Sequence, residues 1–317
     1  MSRPRFAPLA AALVVGVVAL AGCGDSSGES ASDAKADAGP LASVKVEGTD
    51  PAKEPTVTLG TKPLKLTGET KRVITEGEGQ AAGKTDMLAI KAQIVNGTDG
   101  KTVTSTWKES QTLGIDLTDQ KMLPLFTSQL PGSKPGARVL IGAKTSDVYG
   151  PQGNEGLGLK PEDPMVFVVD VVKVVAPSKE ATGAAVAPKA GLPTVKWNPG
   201  KAATIAMPKT TPPKTLVSQP LITGKGAKVT KGQTLRVAYT GALWGSGKVF
   251  DSNATGFPTP IGVGAVVPGW DKSLVGQPVG SRVMLVVPPA DGYGAQGQGE
   301  IKGTDTMVFV VDILGAV

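Results

Sequence analysis

The stretch from residue 239 to residue 293 decides the fold, and it contains four short motifs. They read Tyr239-Thr240-Gly241, Phe250-Asp251-Ser252, Val266-Val267-Pro268-Gly269-Trp270 and Ala290-Asp291-Gly292-Tyr293-Gly294. The chain has only 13 aromatic residues, and seven of them lie between Tyr239 and Phe309. Rings gathered in one segment of an aromatic-poor protein indicate an apolar pocket of defined shape. The alternative is that each ring simply fills a small β-rich core.

The order and spacing of these motifs resemble the FKBP-type peptidyl-prolyl cis–trans isomerases. The resemblance covers residues 216–314, a stretch of about 100 residues, which is the size of a domain. It implies an α+β domain in which an antiparallel β-sheet curls around one short α-helix. It also implies isomerisation of X–Pro peptide bonds.

A second copy of this pattern lies earlier in the chain. Five blocks match in order, among them Tyr149-Gly150-Pro151-Gln152-Gly153 with Tyr293-Gly294-Ala295-Gln296-Gly297, and Met165-Val166-Phe167-Val168-Val169-Asp170 with Met307-Val308-Phe309-Val310-Val311-Asp312. Internal repetition of this kind indicates a duplicated fold. We therefore predict two FKBP-like domains, at residues 41–176 and 194–317, joined by a linker at 177–193.

Residue patterns inside each repeat favour strands. Residues 235–239 alternate in polarity before a Gly-Ser-Gly turn at 245–247, which suits a hairpin. Residues 283–287 and 307–311 are apolar runs of strand length, rich in β-branched side chains. A helix is predicted over 268–275, because Pro268 suits a first helical turn and Gly276 suits the position after a helix end.

The resemblance also assigns the pocket. It implies a floor at Trp270 under the proline ring, and polar groups at Tyr239, Asp251 and Tyr293. Asp251 is expected to bond to Tyr239 or to the ligand, and the Tyr293 hydroxyl to a substrate carbonyl. The implied walls are Phe250, Phe257, Val266, Val267, Ile301 and Phe309, with Phe257 on a loop before Pro258.

Isomerisation of a prolyl bond needs neither a nucleophile nor proton transfer. The barrier is amide resonance, about 18–20 kcal/mol, and it falls when the twisted amide is bound better than the planar one. With no histidine and one cysteine, the chain lacks Ser-His-Asp and Cys-His systems and most zinc patterns. No metal or cofactor is therefore expected. The net charge of +6 is dispersed, which gives nucleic-acid binding little support.

The first repeat lacks most of the rings. Aligning the blocks puts Ile90 at the place of Tyr239, Val103 at that of Phe250, Thr104 at that of Asp251 and Phe126 at that of Trp270. Only Tyr149 and Phe167 persist. We expect this domain to keep the fold but to be catalytically weak or inert, serving as a peptide-binding or spacer module.

The N-terminus predicts a bacterial lipoprotein. Arg3 and Arg5 precede an apolar run at residues 9–20, too short to span a bilayer comfortably. Leu20-Ala21-Gly22-Cys23 follows and resembles a lipobox, in which the cysteine becomes the acylated first residue. This predicts a signal peptide at 1–22, lipidation at Cys23, and a Ser/Asp/Ala/Gly-rich flexible tether at 23–40. The alternative is an ordinary signal peptide cut near a cysteine.

Together these features predict a foldase that is lipid-anchored on the extracytoplasmic face of the cell membrane. Its expected partners are proline-containing unfolded or exported polypeptides, and macrolide inhibitors through the same pocket. One alternative is a non-catalytic chaperone that holds proline-containing segments. Another is a structural envelope lipoprotein that reuses the fold for partner recognition.

Overall fold

Two β-sheets of the same design dominate the computed structural model, which describes residues 39–108 and 112–317. The first sheet and its covering hairpin use β1 (Val44–Glu47), β2 (Thr56–Leu59), β3 (Thr70–Thr75), β4 (Met87–Asn96), β5 (Thr102–Ser105), β6 (Leu113–Asp116), β7 (Arg138–Lys144) and β8 (Pro164–Val175). The second sheet and its hairpin use β9 (Gly183–Ala185), β10 (Thr194–Lys196), β11 (Thr204–Ala206), β12 (Val217–Gly224), β13 (Thr234–Leu243), β14 (Val249–Pro260), β15 (Arg282–Val287) and β16 (Met307–Ala316). The helices are α1 (Pro124–Gln129), α2 (Thr145–Tyr149) and α3 (Pro268–Leu274), with single 3₁₀ turns at Glu155–Leu157, Pro289–Asp291 and Gly294–Gln296.

The strand order shows the duplication directly. The first sheet runs β3-β7-β8-β4-β5, with β6 also paired to β4, and the second runs β14-β13-β16-β15-β12-β9. When the second sheet is read from β9 to β14, its strands β12, β15, β16, β13 and β14 correspond in order to β3, β7, β8, β4 and β5. Strand β9 is an additional strand outside β12. All pairings are antiparallel. The predicted α+β class and the predicted duplication are confirmed.

Each sheet is covered on both faces, which explains the continuous apolar runs in its central strands. In the second repeat one face includes Leu235 and Val311 and packs on Trp270 of α3. The other face carries Met284, Val308 and Val310 and is covered by the β10-β11 hairpin through Ile205. All ten residues of β16 are buried as a result. In the first repeat, β1 and β2 cover the equivalent face.

Three local predictions can be compared with these elements. The hairpin turn after β13 forms where expected, with Gly247 N–H donating to the Leu243 carbonyl at 2.8 Å. The helix over 268–275 is present but ends one residue earlier, because Val275 is extended. The loop expected around Phe257 is wrong, since Phe257 lies in β14 opposite Val237. A bulge between Val237 and Tyr239 takes up the extra residues of β14, so pairing continues to Pro260.

The segment 177–193, predicted as a linker, is bound along the second repeat. Ser178 N–H donates to the Leu314 carbonyl at 2.9 Å, and Ala181 N–H donates to Asp312 at 2.8 Å. Strand β9 then pairs with the free edge of β12. An edge strand exposes unpaired backbone groups, and this segment satisfies some of them.

Residues 1–38 lie outside the part of the chain that the structure describes. They include the predicted signal peptide, Cys23 and nearly all of the predicted tether. Among the described residues, the structure contains no helix of the length and apolar character needed to cross a membrane.

Candidate active site

Helix α3 carries the floor of the pocket. It begins with Pro268 at its first position, and Trp270 in its first turn is only 4% exposed. Gly269 lets the helix approach the sheet closely, because a Cβ there would lie 2.9 Å from Cγ1 of Val287. The indole is therefore pressed against the inner face of the sheet, where the sequence predicted it.

Five rings form a continuous row of edge-to-face contacts through this floor. Phe257 contacts Tyr239 at a centroid distance of 5.4 Å, and Tyr239 contacts Trp270 at 5.3 Å. Trp270 contacts Phe309 at 5.3 Å, and Phe309 contacts Phe250 at 5.6 Å. The interplanar angles run from 62° to 90°, which is the arrangement that aromatic quadrupoles favour. The row holds each ring in one orientation.

A pocket of about 190 Å³ opens above these rings. Nine of the ten residues predicted for the site line it, namely Tyr239, Phe250, Asp251, Phe257, Val266, Val267, Trp270, Tyr293 and Phe309. Ile301 does not line it and is instead buried in the core beneath, in the same cluster as Trp270. Ala265 completes the lining and was missed, although its position beside Val266 in the same loop could have indicated it.

The polar groups of the pocket lie at its rim. The Tyr239 hydroxyl donates a hydrogen bond to the exposed Asp251 carboxylate. Burial, this hydrogen bond and the charge of Asp251 all raise the pKa of Tyr239 well above its ordinary value. Burial, with a smaller contribution from Asp251, also raises the pKa of Tyr293. Phenols are protonated at neutral pH in any case, and these shifts extend the pH range in which both hydroxyls can donate hydrogen bonds.

Asp271 holds the loop that forms one wall, a role that sequence reasoning missed. Its carboxylate accepts hydrogen bonds from the backbone N–H groups of Gly262, at 2.6 Å, and Gly264, at 2.8 Å. The loop runs from these glycines directly into Ala265 and Val266. The sequence did contain a signal for this role, because Asp271 directly follows Trp270 at the start of the helix and the two glycines lie shortly before it.

The first repeat has lost this site, and the strand register corrects one predicted equivalence. Tyr239 pairs with Val311, whereas the corresponding residue Val169 pairs with Ala92. The expected equivalence of Ile90 with Tyr239 is therefore wrong by two residues, and Ile90 corresponds to Val237.

The remaining equivalences agree with the register. Ile94 pairs with Thr104 and with Phe167, as Gly241 pairs with Asp251 and with Phe309. Phe126 on α1 contacts Phe167 edge-to-face at 5.8 Å, as Trp270 contacts Phe309. The first repeat thus keeps two rings of the row and has Ala92 and Thr104 in place of the Tyr239–Asp251 pair.

Among the described residues, no group of three or more acidic or cysteine side chains could hold a metal ion. The side chains that line the pocket are ring and aliphatic groups with one carboxylate and two phenols. Such a site can bind an apolar ring and hydrogen-bond to a carbonyl, but it contains no nucleophile activated by a neighbouring base.

Comparisons with known proteins point to the same chemistry. The family model described as FKBP-type peptidyl-prolyl cis-trans isomerase matches residues 78–172 and 225–314, more than half of the chain. FK506-binding protein 2 of Dictyostelium discoideum is 41% identical over 92 residues, which are 28% of this chain and 68% of the relative. A probable FK506-binding protein of Corynebacterium glutamicum is 32% identical over 113 residues, 35% of this chain and 96% of the relative.

Solved structures of FKBP domains are also similar. The crystal structure of AtFKBP13 is 30% identical, with a TM-score of 0.31, and the match covers 33% of this chain and 96% of that one. The three FKBP domains of wheat FKBP73 match 79% of this chain and 95% of theirs at 17% identity and a TM-score of 0.33. On the family match to both of its repeats, the chain belongs to the FKBP-type peptidyl-prolyl cis–trans isomerases.

Proposed function

We propose that the second repeat performs the isomerisation, and that it does so on exported polypeptides at the outer face of the cell membrane. The observation that carries the first part is the row of five rings together with the hydrogen bond that one of them, Tyr239, makes to Asp251. An apolar pocket that excludes water favours the twisted amide, whose carbonyl is less polar than that of the planar amide.

Each lining residue then has a defined role in this proposal. The proline ring of the substrate lies on Trp270, between Phe309 and Tyr239. The Tyr293 hydroxyl is protonated at neutral pH and donates a hydrogen bond to a substrate carbonyl. Asp251 fixes the Tyr239 hydroxyl at the rim. The pocket binds the twisted amide more tightly than the planar one. Isomerisation is therefore faster than the uncatalysed process, which takes tens to hundreds of seconds.

A protease-coupled assay on a short prolyl peptide tests these roles. Asp251→Ala together with Tyr239→Phe removes the rim hydrogen bond while keeping the ring that Trp270 and Phe257 contact. Loss of a hydrogen bond to a charged group costs about 1.5–3 kcal/mol, so kcat/KM should fall about 10- to 100-fold. Unchanged kcat/KM in a folded double variant would refute the assignment.

FK506 should compete with the peptide in wild type, as the names of the relatives suggest for this family.

The same assay measures the first repeat. Its Ala92 and Thr104 cannot form the rim pair, so we propose that this repeat is inert. Full-length protein carrying Gly241→Ile in the second repeat should retain no activity above the uncatalysed rate, because a Cβ at Gly241 would lie 2.7 Å from Phe250. Substantial residual turnover in this variant would show that the first repeat is catalytic.

The location rests on the N-terminal sequence. An apolar run and the Leu20-Ala21-Gly22-Cys23 motif support export followed by acylation of Cys23, and two or more acyl chains anchor a protein stably. Substituting Cys23→Ala should move the protein from the membrane fraction to the medium, with Ser27→Ala as the control. Retention of the Cys23→Ala protein in the membrane fraction would refute a lipid anchor at this residue.

A further inference from the structure

A groove of about 630 Å³ lies between the two repeats. The first repeat contributes Val172 and Lys173, from the outer part of β8, to one wall. The second contributes Lys231, from the turn before β13, and Val263, from the loop between β14 and α3. Neither repeat could form this groove alone.

The repeats are fixed against each other beside the groove. The Arg236 guanidinium on β13 forms a bidentate pair with Asp116 on β6, with Nε to Oδ2 at 2.6 Å, and it also donates to the Thr85 carbonyl at 2.8 Å. Asp116 is fully buried and Arg236 is 8% exposed. Met87 and Val317 add an apolar contact across the same junction. The width of the groove is therefore set by a buried interface.

The groove and the candidate active site lie on either side of one loop. The loop of residues 261–267 separates the two, because Val263 lines the groove while Ala265, Val266 and Val267 line the pocket. Asp271 holds this loop through Gly262 and Gly264. Lys231 packs its side-chain stem near Gly262. A chain crossing this loop from the pocket side would meet Val263, which lines the groove.

The groove combines apolar surface with positive charge. Val263 is 53% exposed and Val172 is 48% exposed, and both rank among the few large hydrophobic side chains that are exposed in the described part of the chain. The ammonium groups of Lys173 and Lys231 come from opposite repeats. Exposed apolar surface framed by charge is typical of a binding surface, and two lysines complement a carboxylate.

We propose that this groove binds the segment of substrate polypeptide that flanks the prolyl bond held in the pocket, and that it favours apolar segments containing an acidic side chain. The proposal rests on the proposed function, since it extends the same substrate. It gives the first repeat a part in substrate recognition without any catalytic role.

The test compares peptides of different length by fluorescence anisotropy, which does not depend on turnover. The probes are a labelled prolyl tetrapeptide and two labelled 16-residue peptides, which carry a Val/Leu/Asp/Glu flank either before or after the proline. The variant is Lys173→Glu with Lys231→Glu. The matched control is Lys196→Glu with Lys201→Glu, two exposed lysines in or beside the β10-β11 hairpin, which covers the other face of the second sheet.

We expect at least one long peptide to bind wild type more tightly than the tetrapeptide does. The groove variant should weaken that binding about tenfold, with a difference that shrinks at high salt, and leave tetrapeptide binding and turnover unchanged. The control variant should bind all peptides as wild type does. Equal binding of long and short peptides, or equal loss in both double variants, would overturn the groove. Absence of tetrapeptide turnover by the wild-type protein would instead count against the proposed function. The anisotropy result would still show whether the groove binds the flanking segment.

Discussion

At the scale of single residues, one glycine accounts for much of the difference between the repeats. A Cβ at Gly241 would lie 2.7 Å from Phe250 and 2.9 Å from Phe309, so only glycine leaves room for these two rings. In the first repeat Ile94 stands at this register position and Val103 at that of Phe250. The isoleucine side chain fills space that the second repeat gives to the Phe250 ring. The apolar volume is kept while the pocket wall is lost.

The tyrosines give a prediction at the same scale. The chain has three, and burial raises the pKa of Tyr149, Tyr239 and Tyr293 above the ordinary value. Absorbance of the native protein at 295 nm should therefore show no tyrosine that ionises with a midpoint of about pH 10. In guanidinium, the tyrosines of the unfolded protein should ionise with a midpoint of about pH 10. A native tyrosine that titrates at the ordinary pKa would contradict the burial of that ring.

The same pKa shifts predict how the free energy of unfolding depends on pH. At a pH between the tyrosine pKa of the unfolded chain and the higher tyrosine pKa of the folded chain, the folded chain keeps protons that the unfolded chain has released. The free energy of unfolding is thus unaffected below about pH 10 and falls as the pH rises above it. Tyr239→Phe should make this fall shallower in denaturant titrations at pH 9–11, because it removes the largest shift.

At the scale of elements, the position of α3 determines the depth of the pocket. Its floor residue Trp270 can face the sheet only because Gly269 allows contact with Val287 and Asp271 secures the preceding loop. The helix has only seven residues, and a helix of that length is not stable in isolation. Its stability therefore comes from packing on β15 and from the loop.

Substituting Gly269→Ala tests this packing. The added Cβ would lie 2.9 Å from Val287, and overpacking a core contact costs about 1–3 kcal/mol in unfolding free energy. We expect kcat/KM to fall as well, since the indole moves with the helix. The control is Gly245→Ala, where a Cβ has no neighbour within 4 Å. A Gly269→Ala protein as stable as the control would show that the helix shifts without cost.

At the scale of the whole molecule, the described parts of the two repeats form one compact unit. Three Arg–Asp pairs are buried in the described residues, and two of them are equivalent, Arg138–Asp170 in the first sheet and Arg282–Asp312 in the second. The third, Arg236–Asp116, joins the repeats. The duplicated pairs belong to the fold, whereas the third belongs to this arrangement of two copies.

Asp116→Ala should therefore destabilise the whole unit. Removing one partner of a buried ion pair leaves an uncompensated charge and costs about 3–5 kcal/mol, which urea unfolding would measure. Replacing both partners, as Asp116→Leu with Arg236→Leu, should recover most of the loss. Lys53→Ala, which removes a surface ion pair with Asp50, should leave stability almost unchanged. If Asp116→Ala were as mild as Lys53→Ala, the junction would not be a rigid one.

The sequence by itself determined the duplicated α+β fold, and its resemblance to a known family predicted ten pocket residues, nine of which line one cavity in the structure. Strand alternation, the helix stop and the motif spacing are local properties, so they can be recognised without coordinates. Only the tertiary structure decided the register at Ala92, the place of Phe257 in a strand, the core position of Ile301 and the groove between the repeats. A β-bulge shifts the strand register without changing the alternation of polar and apolar residues, so the sequence does not reveal it. The Asp116–Arg236 pair joins residues 120 apart in the chain, and no local pattern encodes such a contact.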